Sequence, residues 1–139
     1  MSVQEVHAGP AIRWVRVLLA GFLAEVALVA VAVPLYFTPN AQAALNWGIP
    51  PASFVVLIPF GWWAARGAPR SQVLNGFLAG LAGVLLYLCL VVVGSAVAHT
   101  DPMASMTPPY LLAHALKLAG GALGGWLAGR KSAAAAKPT

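Results

Sequence analysis

The sequence predicts an all-α integral membrane protein, a bundle of four membrane-spanning helices. Hydrophobic residues make up 60% of its 139 residues and charged residues only 8%, whereas charged residues form about 25% of soluble domains. A soluble core of this size could not bury so much apolar surface. The mean hydropathy of +0.83 also excludes a disordered chain, and the single cysteine excludes a disulfide scaffold.

The chain reads as a single membrane domain over residues 1–139. Its four apolar runs lie at about residues 15–37, 49–65, 73–98 and 110–129. Each run is close to the twenty or so residues that a spanning helix needs. Residues 130–139 are expected to form a basic, disordered tail.

The second span has an unusual beginning. Pro50 and Pro51 are expected to start this helix, because proline is tolerated in the first helical turn. Pro59 is expected to kink the same helix. The preceding residues 41–47 are expected to form a short turn at the membrane surface.

Basic residues mark one side of the membrane. Seven of the eight flank spans on that side: Arg13, Arg16, Arg66, Arg70, Arg130, Lys131 and Lys137. The connections over residues 38–48 and 99–109 contain no Lys or Arg. Because basic residues are enriched on the cytoplasmic side, we expect both termini in the cytoplasm. The net charge of +5 then serves orientation and contact with anionic lipid, not nucleic acid.

Two segments recur along the chain in the same order. Residues 19–24 match residues 74–79, and residues 61–66 match residues 125–130. Each match joins spans that enter the membrane from the same side. The sequence therefore predicts a tandem repeat of two helical hairpins, related by a parallel pseudo-twofold axis. The alternative is a coincidence among residue types that are common in membrane helices.

Both hairpins end in the same pattern: a glycine, an aromatic residue, any residue, an alanine, a small residue and an arginine. In this pattern the chain loosely resembles small, largely uncharacterised four-span proteins of the bacterial inner membrane. The resemblance covers most of the chain and implies architecture and location, a multi-pass protein of the bacterial cytoplasmic membrane. It implies no particular chemistry.

Glycines recur at steps of four in the third and fourth spans. They are Gly76 and Gly80 in one, and Gly120, Gly121, Gly124, Gly125 and Gly129 in the other. Membrane helices pack closely at such small residues, so we expect these rows to be helix contacts. Their target stays open at this point, since they could face another span or a second copy. A homo-oligomer or a larger membrane complex is expected on this basis.

Four polar side chains lie at membrane depth. Glu25 is near the centre of the first span, and an ionised carboxylate there needs a cation, for which Lys117 in the fourth span is the obvious candidate. One point opposes the pair, because helical side chains lean toward their own N-terminus and these two helices run in opposite directions. Tyr87 in the third span is the alternative, neutral partner for Glu25.

His114 and Lys117 are three residues apart and share one helix face. They could form part of a polar track that enters the membrane. The alternative is a histidine that is simply wetted at the membrane surface.

The residues Ala24-Glu25-Val26 resemble the first-span motif of small multidrug exporters. That resemblance implies a carboxylate that exchanges protons during transport. The later spans do not match that family, and Lys117 has no counterpart there.

The remaining candidates are weaker. His99, Asp101, Met103 and Met106 are residue types that can bind copper, but a plain connecting loop is the better reading, so we predict no metal and no cofactor. Cys89 is expected to be a small packing residue. The sequence contains no Ser-His-Asp set, phosphate-binding glycine loop or paired carboxylate, so no enzyme is predicted.

Two functions follow from these residues. The favoured one is a structural or accessory subunit of a membrane assembly, with a dry Glu25 sealed by Leu and Val. The alternative is a small proton- or cation-coupled transporter or channel centred on Glu25, Lys117 and His114. A polar cavity that reaches Glu25 from either face would favour transport.

Overall fold

The computed structural model describes residues 11–135 as an all-helical chain. Its long helices are α1 (Trp14–Tyr36), α2 (Ala41–Ala65), α3 (Gln72–Ala98) and α4 (Pro108–Ala135). A short 3-10 turn, Pro102–Ser105, lies between α3 and α4. All four long helices contain a window that is long and apolar enough to cross a membrane. The prediction of an all-α protein with four spans is therefore confirmed at this level.

Helix α2 begins at Ala41, so the prediction that Pro50 and Pro51 start the helix is wrong. The expected surface turn over residues 41–47 is part of the same helix. A proline inside a helix removes one backbone hydrogen bond, which here leaves the carbonyls of Asn46 and Trp47 without helical partners. These carbonyls lie in the first two turns of α2.

Helix α4 extends to Ala135, beyond its predicted end at residue 129. The expected disordered tail is therefore helical over residues 130–135. Alanine is the strongest helix former, and basic side chains are favourable near a helix C-terminus, where Arg130 and Lys131 lie. Residues 136–139 of the expected tail, including Lys137, lie outside the described residues.

Short connections make successive helices antiparallel, so each end of the bundle collects particular residues. The basic end carries Arg13, Arg16, Arg66, Arg70, Arg130 and Lys131. The far end carries the connections over residues 37–40 and 99–107. Helix α2 packs on α1 and α4, and α3 packs on α1 and α4. Helices α1 and α4 thus lie diagonally opposite each other, with little direct packing between them.

The densest packing lies in the half of the bundle nearer the basic end. One buried cluster consists of Val17, Ala20, Ala64 and Ala79. A second cluster, Ala24, Leu28 and Leu57, lies beside it toward the middle of the bundle. The small side chains in both clusters let the helices approach closely.

The glycine rows of α3 and α4 face other helices of this same chain. A Cβ atom added at Gly76 would overlap the carbonyl oxygen of Gly121, and one at Gly121 would overlap that of Gly76. Gly120 and Gly124 meet backbone carbonyls of α2 in the same way. The target that the sequence left open is therefore internal for these contacts.

The other predicted glycines also face residues of neighbouring helices, but the closeness of their contacts differs. Gly80 packs against the backbone of Lys117, and Gly125 packs against the backbone of Gln72. Gly129 is looser, since an added Cβ would be 3.7 Å from the nearest atom of the Gln72 side chain. The rows are tightest where α3 and α4 cross at Gly76, Gly121 and Gly125.

Asn75 ties the chain before α1 to the start of α3. Its Oδ1 accepts a hydrogen bond of 2.9 Å from the Arg13 backbone N–H, and its Nδ2 donates to the Ala11 carbonyl at 2.8 Å. The same Nδ2 also donates to the Ser71 carbonyl at 3.0 Å. The side chain is fully buried. In the sequence Asn75 stood out only as a member of the repeated segment.

We expect Asn75→Leu to lower the free energy of unfolding by about 1–3 kcal/mol, because it leaves buried backbone groups without partners. Thermal unfolding in detergent, followed by tryptophan fluorescence, measures the loss. Gln42→Leu is the matched control, because the exposed Gln42 amide only donates to Asn46. Equal stability of the two variants would contradict a structural role for Asn75.

Candidate functional site

A buried ion pair crosses the bundle near its middle. The Lys117 Nζ lies 2.5 Å from the Glu25 Oε1, and the two side chains are only 4% and 6% exposed. Glu25 is the central residue of α1, and Lys117 lies on the diagonally opposite α4. The pair that the sequence left open is therefore formed, despite the opposite lean of the two side chains.

Glycines of α3 make room for this pair. A Cβ atom added at Gly83 would be 2.8 Å from the Glu25 Oε1, and one at Gly80 would be 2.7 Å from the Lys117 carbonyl oxygen. Both distances are too short for a real side chain. Glu25 and Lys117 can meet because α3 presents only backbone at this depth.

Three aromatic rings lie on the side of the ion pair that faces the far end. The Tyr87 ring centre is 5.1 Å from the Lys117 Nζ, within the range of a cation–π contact. The rings of Tyr87, Tyr110 and His114 pack on one another, with centroid distances of 4.3 to 5.5 Å. Tyr87 thus contacts the cation, and the suggestion that it replaces Lys117 as the partner of Glu25 is wrong.

A cavity of about 600 Å³ reaches from the far end to the ion pair. Its polar lining consists of Glu25, Tyr36, Gln42, Asn46, Tyr87, Thr107, Tyr110, His114 and Lys117. Aliphatic side chains of α1 and α2, among them Leu28, Val33 and Ile49, complete the walls. Lys117 is about ten residues below the far end of α4, which makes the cavity about 15 Å deep at 1.5 Å per residue.

The expectation that Leu and Val seal Glu25 is wrong because the cavity reaches this residue, whereas its expected hydrogen bond to Lys117 is present. The apolar neighbours of Glu25 in the sequence turn away from it, since Leu23 and Val26 are 42% and 52% exposed. The small side chains of Ala32 and Ala113 line the space between α1 and α4 and do not fill it. A path from the far end to Glu25 remains open as a result.

Several polar atoms near the cavity have no hydrogen-bond partner within residues 11–135. They are the hydroxyl oxygen of Tyr110 and both ring nitrogens of His114, and all three are shielded from solvent. Buried polar groups are normally paired, so unpaired ones call for an explanation. Both residues line the cavity, but these three atoms themselves are covered by other atoms of the protein.

In the far-end loop, Asp101 has a structural role. The Asp101 carboxylate accepts a 2.9 Å hydrogen bond from the Met103 backbone and caps the 3-10 turn. Over residues 11–135, no three His, Cys, Asp or Glu side chains are grouped so as to hold a metal ion. Cys89 is exposed on α3, so its prediction as a packing residue is wrong.

Comparison with known proteins gives no further guide. The chain matches no known family, no curated protein and no solved structure. The two resemblances seen in the sequence therefore stay predictions, and the chemistry of the site has to be inferred from its own geometry. That geometry has two parts. One is a carboxylate and an ammonium that can exchange protons, and the other is a cavity that can admit a small molecule.

Proposed function

We propose that this membrane protein binds a small solute in the cavity and carries it across the membrane in a step coupled to protonation of Glu25. The observation that carries the proposal is the cavity that reaches the buried ion pair from the far end. A scaffold has no need for such a cavity. A cavity of a few hundred cubic ångströms is the usual size of a small-molecule site.

The buried ion pair supplies the coupling. Removing the charge from one member leaves the other as an uncompensated charge in a low-dielectric environment, which is costly. Proton transfer at Glu25 and the arrival of a charged solute therefore influence each other's free energy. Linkage of this kind is what a proton-coupled transporter requires.

The two halves of the bundle suit alternating access. Toward the far end the cavity is open, whereas toward the basic end the space is closed by glycine contacts and by the buried clusters. Exposure of a central site to one side at a time is the basis of such transport. Movement of α1 relative to α4 would open the other side most easily, because these helices share little packing.

The accessory-subunit role expected from the sequence loses its main support. The glycine rows on which it depended pack against helices of the same chain. Association with a second copy or with a larger complex would have to use other surfaces of the helices. The proposal includes no enzymatic step.

The proposal places the basic end in the cytoplasm of a bacterial cell and the cavity mouth outside. Six basic residues lie at the basic end, and the described part of the far end carries no Lys or Arg. The proposal also includes the tandem repeat of two hairpins. By the repeat, Glu25 and Lys117 correspond to Gly80 and Ser53, so each hairpin would have a charged residue at one of the two positions and an uncharged residue at the other.

Cysteine labelling tests the orientation. In a Cys89→Ala background, Asn40→Cys and Asp101→Cys are expected to react with an impermeant maleimide added outside intact cells. Arg70→Cys and Ser132→Cys are expected to react only after the cells are opened. All four positions are exposed. Any reversal of this pattern would overturn the orientation.

Transport is tested in proteoliposomes that contain a pH-sensitive dye. Three probes of one shape are added in turn: mandelate, phenylethanolamine and phenylethanediol, which are an anion, a cation and a neutral molecule. At least one is expected to drive proton movement above the rate in protein-free vesicles. The double variant Glu25→Gln/Lys117→Met, which keeps shape but cannot exchange a proton, is expected to be inactive. Equal rates for both proteins, or none with any probe, would contradict the proposal.

A further inference from the structure

We infer that the solute is a small amphipathic monoanion, such as a monocarboxylate with an apolar tail, which binds Lys117 while Glu25 takes up a proton. The inference rests on the proposed function and names its substrate class. It follows from the charges at the base of the cavity, from the polar groups that surround them and from the shape of the walls.

Charge balance at the base of the cavity links the anion to the proton. The Glu25–Lys117 pair carries no net charge. An anion that binds beside Lys117 adds a buried negative charge, and a proton on Glu25 alone leaves a buried positive one. When both events occur together, the ammonium exchanges one carboxylate partner for another and the net charge is unchanged. Each event therefore lowers the cost of the other.

The polar groups around the cavity favour an anion over a cation. Lys117, Tyr87, Tyr110 and neutral His114 line the cavity, and each carries a group that can donate a hydrogen bond. Glu25 is the only carboxylate in the lining, and it is already paired. A cationic ligand would have to share this place with the Lys117 ammonium.

The other elements around the pair do not change this balance. Helix α1 adds Tyr36, and α2 adds only the neutral amides of Gln42 and Asn46. Tyr87 is the single titratable group that α3 contributes to the lining. The remaining described acid, Asp101, caps the far-end turn and does not line the cavity.

The walls of the cavity indicate the polarity of the rest of the ligand. Above the ion pair the lining is mainly aliphatic, from residues such as Leu28, Val33 and Ile49. A carboxylate bound at Lys117 would point its tail toward the far end, along this surface and past the Tyr110 and His114 rings. A ligand with one charged end and one apolar end fits such a cavity, whereas a multiply charged ligand does not.

Calorimetric titration of the full chain in detergent tests the inference with the same three probes. Mandelate is expected to bind, and phenylethanolamine and phenylethanediol are expected to bind at least about tenfold more weakly, which corresponds to about 1.4 kcal/mol. Where Glu25 is ionised in the free protein, affinity for mandelate should fall about tenfold per unit rise in pH, because one proton enters with each anion. Repeating the titration in buffers of different ionisation enthalpy measures that proton directly.

Two variants separate the partners. Lys117→Met is expected to abolish mandelate binding. Glu25→Gln, which resembles the protonated acid, is expected to keep mandelate binding but to lose the proton uptake and the pH dependence. Cys89→Ala, on the exposed face of α3, is the control and should behave as the unchanged protein. If Glu25→Gln does not fold, the buffer dependence of the unchanged protein still decides the question.

The outcomes distinguish this inference from the proposed function. Preferential binding of phenylethanolamine, or mandelate binding without proton uptake, would overturn the anion inference and leave a solute-binding site. Failure of all three probes to bind would overturn both. Mandelate binding with one proton, lost in Lys117→Met, would support both.

Discussion

Lys117→Met is expected to lower the free energy of unfolding by about 3–5 kcal/mol, because it leaves the Glu25 carboxylate buried without its cation. Glu25 and Lys117 are 6% and 4% exposed, so little solvent is in contact with the carboxylate that remains. The loss should be greater in alkaline than in acid buffer, since acid lets the carboxyl escape its unpaired charge by binding a proton. Thermal unfolding in detergent over a range of pH measures both effects.

The double variant Glu25→Gln/Lys117→Met is the control for this prediction. It removes both charges and keeps side chains of similar length, so it is expected to recover most of the lost stability and to show little pH dependence. With Glu25→Gln as the second single variant, the four proteins give the coupling between the partners. Lys117→Met as stable as the double variant at every pH would show that the unpaired Glu25 carboxylate has no cost.

Gly76→Ala is expected to destabilise the bundle by about 3 kcal/mol, the upper end of the usual range for overpacking. The added Cβ would overlap the Gly121 carbonyl oxygen and would lie 2.7 Å from the Gly125 backbone nitrogen. Backbone on the opposite helix cannot turn aside as a flexible side chain can. Helices α3 and α4 would have to separate along their tightest contact.

Gly94→Ala is the matched control, because it makes the same change in the same helix where nothing lies within 4 Å of the added Cβ. There alanine is expected to be neutral or slightly stabilising, as it is the better helix former. Tryptophan fluorescence during thermal unfolding compares the two variants. Similar melting temperatures would contradict the close packing of α3 on α4.

The bundle divides into a rigid half and an open half. Near the basic end, small residues bring the helices together and Asn75 fastens the chain before α1 to α3. Toward the far end, α1 and α4 are separated by the cavity. The ion pair lies at the boundary between the halves, with close helix contacts on one side and the cavity on the other.

The number of spans could be predicted from the apolar runs along the sequence, because each run must be helical to satisfy its backbone in lipid. Two helix bounds differ from the predicted ones. The Pro50-Pro51 pair was expected to start α2, but the helix begins at Ala41, and the lost hydrogen bonds fall in its first two turns. Helix α4 continues to Ala135 because the alanines after Lys131 have a strong local preference for helix.

The members of the site were partly visible in the sequence. Glu25, Tyr87, His114 and Lys117 stood out because ionisable and polar side chains are costly at membrane depth. Tyr110, Tyr36, Gln42 and Asn46 did not, since they resemble ordinary residues of the membrane boundary. Only their common position around one cavity gives them a role.

The sequence by itself determined the class of protein, the four spans and the charge difference between the two ends, because these depend on local hydropathy and on residue order. Tertiary structure alone decided which surfaces the glycines meet, that Glu25 pairs with Lys117, and that a cavity reaches the pair. The reason is that these features depend on the relative rotation and spacing of helices far apart in the chain. A helical periodicity fixes the face on which a residue lies, but the choice of neighbour for that face comes from packing four helices together at once.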